Sequence, residues 1–146
     1  MNFKTPEIHA LAPLNWVDYE LLDSGDGAKL ERFGKYILAR PDKGILWRRS
    51  LAADIWKNAD AEFVPTESGE GRWVCRRKLP ERWLVRYGRL AFWARLTPFR
   101  HTGIFPEQAA HWDWITEKIS AAQQPVSVLN LFAYTGIATL AAASAG

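Results

Sequence analysis

Val126-Ser127-Val128-Leu129-Asn130-Leu131-Phe132 is a short apolar, β-branched run that passes through Ala133-Tyr134-Thr135-Gly136 into the helix-forming Ala138-Thr139-Leu140-Ala141-Ala142-Ala143. Its length and its glycine-containing boundary predict a strand. Strand, turn and helix in this order open a Rossmann-like α/β domain. At the carboxyl end of a first parallel strand, the backbone turns sharply into a helix whose unpaired N–H groups and positive dipole face a crevice, where nucleotide-like ligands bind. The run departs from the dinucleotide fingerprint G-x-G-x-x-G, because Gly136 is the only glycine in the turn. It also lacks the Lys and Ser/Thr of a P-loop. A plain buried strand followed by a core helix accounts for the same residues without any ligand.

Upstream, Pro106 suits the first turn of a helix, Glu107 complements its dipole, and Ala110, Trp114, Ile115 and Ile119 recur at near-helical spacing as far as Ala122. Gln123-Gln124-Pro125 should end that helix. One parallel strand with a helix at each side cannot close a core, so residues 106–146 read as a piece of a domain. The C-cap signal at Ala143-Ser144-Ala145-Gly146 predicts a second strand next.

Before residue 98 the pattern is β-rich. Residues 18–23 and 36–40 are short extended runs around the turn-rich Ser24-Gly25-Asp26-Gly27, and 51–58 suits a short helix in a polar middle. A loop is expected over 66–71. Residues 73–78, 83–87 and 90–97 follow as further strands; in the last, Leu90, Phe92, Ala94 and Leu96 alternate with Ala91, Trp93, Arg95 and Thr97. The expected division is an arm over 1–15, a β-rich module over 16–100, and the start of a Rossmann-like domain over 101–146.

An apolar content of 48% with 13% aromatics in 146 residues can bury a core and argues against disorder. No stretch approaches the roughly 20 apolar residues of a membrane span, and the N-terminus has no signal-peptide run, so a soluble, cytoplasmic protein without a membrane partner is expected. One cysteine and three scattered histidines give no metal-ligand spacing, so no metal is expected.

The net charge of +3 matters less than its distribution. Between Arg72 and Arg100 nine basic residues face one acid, Glu81, interleaved with Trp73, Trp83, Tyr87, Phe92, Trp93 and Phe99. Arginines that bind phosphate beside rings on which bases stack are the pattern of a nucleic-acid surface, with Arg76, Arg77, Lys78, Arg86 and Arg89 as the candidates. The same alternation arises from a half-buried sheet with a solvated basic face.

The segment LNLFAYTG followed by IATLAAASAG resembles motif I of class I S-adenosyl-L-methionine-dependent methyltransferases, in the family that includes the large-subunit ribosomal RNA cytosine-C5 methyltransferases. The resemblance implies Asn130 where many relatives place an acid, and a turn through Phe132, Ala133, Tyr134, Thr135 and Gly136 beneath the methionine part of the cofactor. Tyr134 stands where the generic motif has glycine. Two further stretches are similar to the same family: 19–34 resembles its N-terminal β element, and Arg100-His101-Thr102-Gly103-Ile104-Phe105-Pro106-Glu107-Gln108 resembles its K-T-G-x-x-x-D-Q loop. His101 replaces the usual Lys, and Glu107 the usual Asp. Arg100, Thr102, Gly103 and Gln108 thereby join the cofactor residues that the resemblance implies.

The resemblance covers residues 17–146 and implies RNA as the substrate, with cytosine C5 one candidate target. C5 is a poor nucleophile, so that chemistry needs a thiolate adding at C6. The ribose-binding acid, the catalytic loop and that thiolate are expected beyond Gly146, which makes this segment inactive by itself. Cys75 reads as a small structural residue, His101 as a loop hydrogen-bonding residue, and His9 and His111 have no evident partner. Two alternatives stay open: an RNA-binding β-module without catalysis, and a degenerate nicotinamide-binding oxidoreductase segment.

Overall fold

The computed structural model describes residues 10–13, 16–66 and 71–146; residues 1–9 and 14–15 of the expected arm and the tip of the expected loop, 67–70, lie outside the described residues. The chain first builds an antiparallel meander of β1 (Tyr19–Gly25), β2 (Ala28–Phe33) and β3 (Tyr36–Pro41). Asp26 and Gly27 join β1 to β2 with φ of 48° and 74°. Both values are positive, as the two-residue turn matched to strand twist requires, and Asp-Gly is a pair that tolerates it. The β1–β2 register runs from Tyr19↔Phe33 to Gly25↔Ala28, shifting at a bulge between Leu21 and Asp23.

From β3 the chain crosses through α1 (Ala53–Lys57) and returns as β4 (Ala61–Pro65), parallel to β3, before β5 (Gly71–Cys75) pairs antiparallel with β4. This completes a sheet in the order β1-β2-β3-β4-β5. A separate hairpin pairs β6 (Trp83–Tyr87) with β7 (Leu90–Ala94). A 3₁₀ turn over Pro106–Gln108 then leads into α2 (Ala109–Ser120), and α3 (Ile137–Ala143) ends the chain.

Two packed clusters hold these elements. On one face of the sheet, Phe33, Tyr36 and Leu38 meet Trp83, Val85 and Phe92 of the hairpin, Ile104, Trp112 of α2, and Ile137 and Ala141 of α3. On the other face, Leu30 and Ala39 pack against Trp56 of α1 and Ala59. The main core therefore draws on residues both before and after position 100. Burying a large apolar side chain is worth about 1.5–3 kcal/mol, so this shared core ties the two stretches firmly.

Three expectations need correction. Residues 126–132 form no strand: they have no ladder partner, Leu131 and Phe132 already lie in a turn, and Leu129, Leu131 and Phe132 are 82%, 75% and 90% exposed. A strand exists only where a neighbour accepts its N–H and C=O groups, and no described strand pairs with this segment. The only parallel ladder among the described residues joins β3 to β4. The expected apolar face of the second helix is also displaced, since Ala109 and Trp112 are its buried residues while Trp114 is exposed. At 100° per residue, Trp112 and Trp114 point to nearly opposite sides, and the hairpin selected the former. Finally, β4 went unread in the polar middle, where five residues with Ala61 and Phe63 inward gave too short an alternation.

Asp23 joins β1 to the segment that covers the second cluster. Its buried carboxylate accepts the N–H groups of Ser24, Ser50 and Leu51 and the indole N–H of Trp56 at 2.9 to 3.1 Å. Burial by itself would raise its pKa, but the donors from Leu51, Trp56, Ser50 and Ser24 outweigh it and hold the carboxyl below the ordinary aspartate range. A depressed folded pKa adds stability that is present above the unfolded value of about 3.9 and is lost as pH falls through the folded value. Asp23→Asn should therefore cost roughly 1.5–3 kcal/mol in urea unfolding at pH 7, and should remove this residue's share of the acid destabilisation below about pH 4. A variant with an unchanged midpoint at neutral pH would contradict this account.

Candidate functional site

The turn after residue 129 is shaped by two left-handed residues. Tyr134 has φ of 49° and Gly136 φ of 86°, with the Gly136 N–H donating to the Ala133 carbonyl at 2.6 Å. This hooks the chain into α3. A glycine at the second position meets no steric cost, whereas Tyr134 holds a conformation uncommon for a bulky residue. Asn130 braces the turn from below, its Nδ2 donating to Thr139 Oγ1 at 2.9 Å. The main-chain N–H groups of Tyr134 and Thr135 donate to no acceptor among the described residues.

A cleft of about 480 Å³ lies beside this turn, inside the range of about 300–1,000 Å³ usual for small-molecule sites. It is lined by Asn130, Phe132, Ala133, Tyr134 and Thr135 of the turn, by Ile137 and Ala138 of α3, and by Phe105, Gln108 and Trp112 from the preceding loop, 3₁₀ turn and α2. The rings of Phe105 and Tyr134 meet across it at 4.8 Å. What joins the walls is a hydrogen bond from Thr135 Oγ1 to the Gly103 carbonyl at 2.7 Å, between residues 32 positions apart. Gly103 itself has φ of 87°, which a side-chain-bearing residue rarely adopts, so the loop reaches the turn through a glycine.

Six of the ten residues expected around a cofactor thus line one cleft: Gln108, Asn130, Phe132, Ala133, Tyr134 and Thr135. Gly136 caps α3 behind them, and Gly103 supplies the carbonyl that closes the wall. Thr102 is fully buried, its hydroxyl without a partner among the described residues. Arg100 faces a separate cleft of about 230 Å³ with Lys29, Arg40, His101 and Glu107, of which Phe105 forms the boundary with the first. Phe105 and Trp112 were missed. The only signal for them was aromatic character in a loop and on a helix face, where packing explains it as readily.

Arg40, which lines this second cleft, belongs to a buried network within the sheet that joins β1, β2 and β3. Arg40 engages both carboxylate oxygens of Glu31, and the Tyr19 hydroxyl donates to Glu31 Oε1 at 2.9 Å. Burial, and then the adjoining carboxylate, push the Tyr19 phenol far above its ordinary pKa. His101 goes the other way: burial first, then the charges of Arg40 and Arg100, hold it below its ordinary value, which keeps the ring neutral at pH 7. The hydrogen bonding expected of its side chain falls instead to its carbonyl, which accepts Thr97 Oγ1 at 2.7 Å; its Nδ1 is buried with no partner among the described residues. His111 does have a partner, since its Nδ1 lies 2.9 Å from Gln108 Oε1 and steadies that cleft residue.

The basic segment divides. Arg77 pairs with Asp60 at 2.5 Å and Arg76 with Glu62 at 3.4 Å, while the side chains of Lys78, Arg86 and Arg89 are exposed and have no acid partner among the described residues. Trp83, Tyr87 and Phe92 are buried in the core, which is the half-buried-sheet explanation of the alternation, and Trp93 and Phe99 remain exposed. Cys75 ends β5, exposed, and does not line the cleft at the turn. No group of three His, Cys, Asp or Glu side chains that could hold a metal occurs among the described residues, and no helix there is long and apolar enough to cross a membrane.

No protein-family model matches the sequence, and no curated protein does. Among solved structures, the chain is 44% identical to the S-adenosylmethionine-dependent methyltransferase from Agrobacterium tumefaciens, with a TM-score of 0.85 over 93% of this chain and 43% of that one. The likeness is to methyltransferases. At 20% identity the chain also matches a protein of Streptococcus mutans assigned as an S-adenosylmethionine-dependent methyltransferase, with a TM-score of 0.62 over 90% of this chain and 37% of that one. SMU.776, assigned as a methyltransferase and crystallised with S-adenosylhomocysteine, is 20% identical with a TM-score of 0.61, over 90% and 36%. At that identity the likeness is one of fold alone. The chain spans less than half the length of each of these methyltransferases.

At Gly136 an added Cβ would meet open space, so substitution there acts through the backbone. A β-branched residue at φ of 86° carries a cost of roughly 1–2 kcal/mol or more. Gly136→Val should therefore lower stability by at least that amount or reshape the turn, seen as a lower urea midpoint together with amide shifts at residues 133–138. Gly136→Asn, which tolerates the left-handed region, should lose less than half as much; equal losses in both variants would remove the φ argument.

Proposed function

We propose that this chain is the cofactor-entry part of an S-adenosyl-L-methionine-dependent methyltransferase acting on RNA. The observation that carries the reading is the hydrogen bond from Thr135 to Gly103, which closes the two family-like segments, 100–108 and 130–136, around a single cleft. The 44% identity to the Agrobacterium methyltransferase supports it. The residues present suit the cofactor. Phe105, Phe132 and Tyr134 line the cleft with aromatic rings that suit a sulfonium cation, and the N–H groups of Tyr134 and Thr135, which have no acceptor among the described residues, offer donors to its polar parts. No lining residue of this cleft is a carboxylate or a cation, so binding there rests on shape, rings and amides.

When bound, such a cofactor supplies an electrophilic methyl group whose transfer is driven by loss of the sulfonium charge. Residues of this chain orient it: Thr135 and Gly103 hold the walls together, and Asn130 and His111 fix the turn and Gln108. Within this reading, residues 16–100 form a substrate-side module, 1–15 an arm before it, and 101–146 the beginning of the cofactor domain. Ribosomal RNA is the substrate class, with cytosine C5 as one target. The basic, exposed segment supports RNA over a small molecule.

Titration with S-adenosylhomocysteine, followed by calorimetry and by amide chemical shifts, should give saturable binding with shifts concentrated at residues 100–108 and 130–138. Binding of NAD in its place, or shifts confined to other residues, would overturn the methyltransferase reading.

A further inference from the structure

The β6–β7 hairpin has two unlike faces. Trp83, Val85, Tyr87, Phe92 and Ala94 point into the core, which leaves Leu84, Arg86, Ala91 and Trp93 on the other face, with Leu84 opposite Trp93 and Arg86 opposite Ala91. Trp93 is 52% exposed there, and the Arg82 guanidinium lies over its ring at 4.6 Å from the centroid. Arg95 follows Trp93 at the next outward position. The guanidiniums of Arg82, Arg86 and Arg95 have no ion pair among the described residues, unlike those of Arg76 and Arg77. The only acid in residues 82–100 or immediately before them is Glu81, in the preceding turn.

This face is continuous with the cleft wall. The Arg95 N–H donates to the Thr102 carbonyl at 3.1 Å, and the Trp93 carbonyl is 3.8 Å from the place a Cβ on Gly103 would occupy. Gly103 in turn accepts Thr135. A ligand laid along the hairpin therefore runs toward the turn that borders the cleft.

We infer that this outer face is a stacking platform for single-stranded RNA, an inference that rests on the RNA reading above. Trp93, backed by Arg82, takes the face of one unpaired base, and Arg86 and Arg95 take the phosphates on either side. A half-exposed indole flanked by unpaired guanidiniums recognises a π-face and a phosphate together. Duplexes keep their base faces covered by stacking, so the ring selects single strands. The sequence singled out Arg76, Arg77, Lys78, Arg86 and Arg89; the structure pairs Arg76 and Arg77 with acids, and although the Asp18 carboxylate accepts the main-chain N–H of Arg86 at 2.8 Å, the Arg86 guanidinium has no ion pair among the described residues.

The test is fluorescence anisotropy of a labelled uridine oligonucleotide about 12 nucleotides long, within the site sizes of roughly 4–16 nucleotides typical of such grooves, titrated with the full chain. Trp93→Ala should weaken binding by roughly 5- to 100-fold while Trp93→Phe keeps most of it. Arg86→Ala and Arg95→Ala should each reduce the log–log salt slope by about 0.7. Circular dichroism melting checks that the exposed substitutions leave the fold intact, and Arg82→Ala serves as a second probe of the platform. Three results would overturn the platform. Wild-type affinity in Trp93→Ala combined with a loss in Lys78→Ala would move the RNA surface elsewhere and leave the RNA reading standing. Equal competition by a duplex of the same length, or by inorganic polyphosphate, would show charge or shape recognition without stacking. Absence of RNA binding by the wild-type chain at low salt would take down the RNA reading and the platform together.

Discussion

The indole of Trp112, 3% exposed, packs edge-on against Trp16, Tyr87 and Phe92 with ring centroids 5.8 Å away in each case. These contacts fasten α2 to the β6–β7 hairpin, and α2 is the element against which α3 packs. Trp112 also lines the cleft at the turn, so a single side chain is both core and wall. Aromatic pairs of this geometry add about 0.5–1.5 kcal/mol each beyond their area. The position of the cleft is therefore coupled to the integrity of the core, and the site cannot loosen without exposing the most aromatic part of the molecule. Tyr87 strengthens the same seam by donating its hydroxyl to Asp113 on α2; burial, then that carboxylate, raise its pKa far above any working pH, which keeps the donor protonated.

Wherever short-range chemistry decides structure, the sequence was readable. Asp26-Gly27 specifies its hairpin through backbone conformations few other pairs accept, and the alternation at residues 90–94 specifies a strand with one buried face. Pro106 and the apolar spacing beyond it specify a helix whose existence held even though its buried face rotated to Trp112. The errors share a cause. Pairing of β3 with β4 across α1, and the absence of a partner for residues 126–132, depend on which segments meet in space, and no local pattern encodes that. An apolar run reads as a strand whether or not a neighbouring strand accepts it.

The site was legible as two separate loops and illegible as one cleft. Each loop carries its own signature, yet the Thr135–Gly103 hydrogen bond that unites them spans 32 positions and leaves no trace in either segment. Charge was similarly legible in amount and illegible in use. Nine basic residues between 72 and 100 are visible in the sequence, but which of them are spent on Asp60 and Glu62, and which face solvent, depends on the register of β4 with β5. The structure thus redistributes a correctly perceived charge rather than creating a new one.

Tyr134 shows how these levels meet. Its φ of 49° is a conformation glycine accepts freely, and the generic motif that this turn resembles has glycine there. A tyrosine at such an angle carries strain of roughly 1–3 kcal/mol, sustained only when the surroundings over-determine it. Here the surroundings are the Phe105 ring at 4.8 Å, itself in contact with His101, and the turn closed by the Gly136 N–H. The ring contacts from His101 through Phe105 to Tyr134 set a half-exposed aromatic side chain at the cleft. A glycine would give a looser turn; the tyrosine exchanges backbone strain for an aromatic ring packed against Phe105 at the cleft.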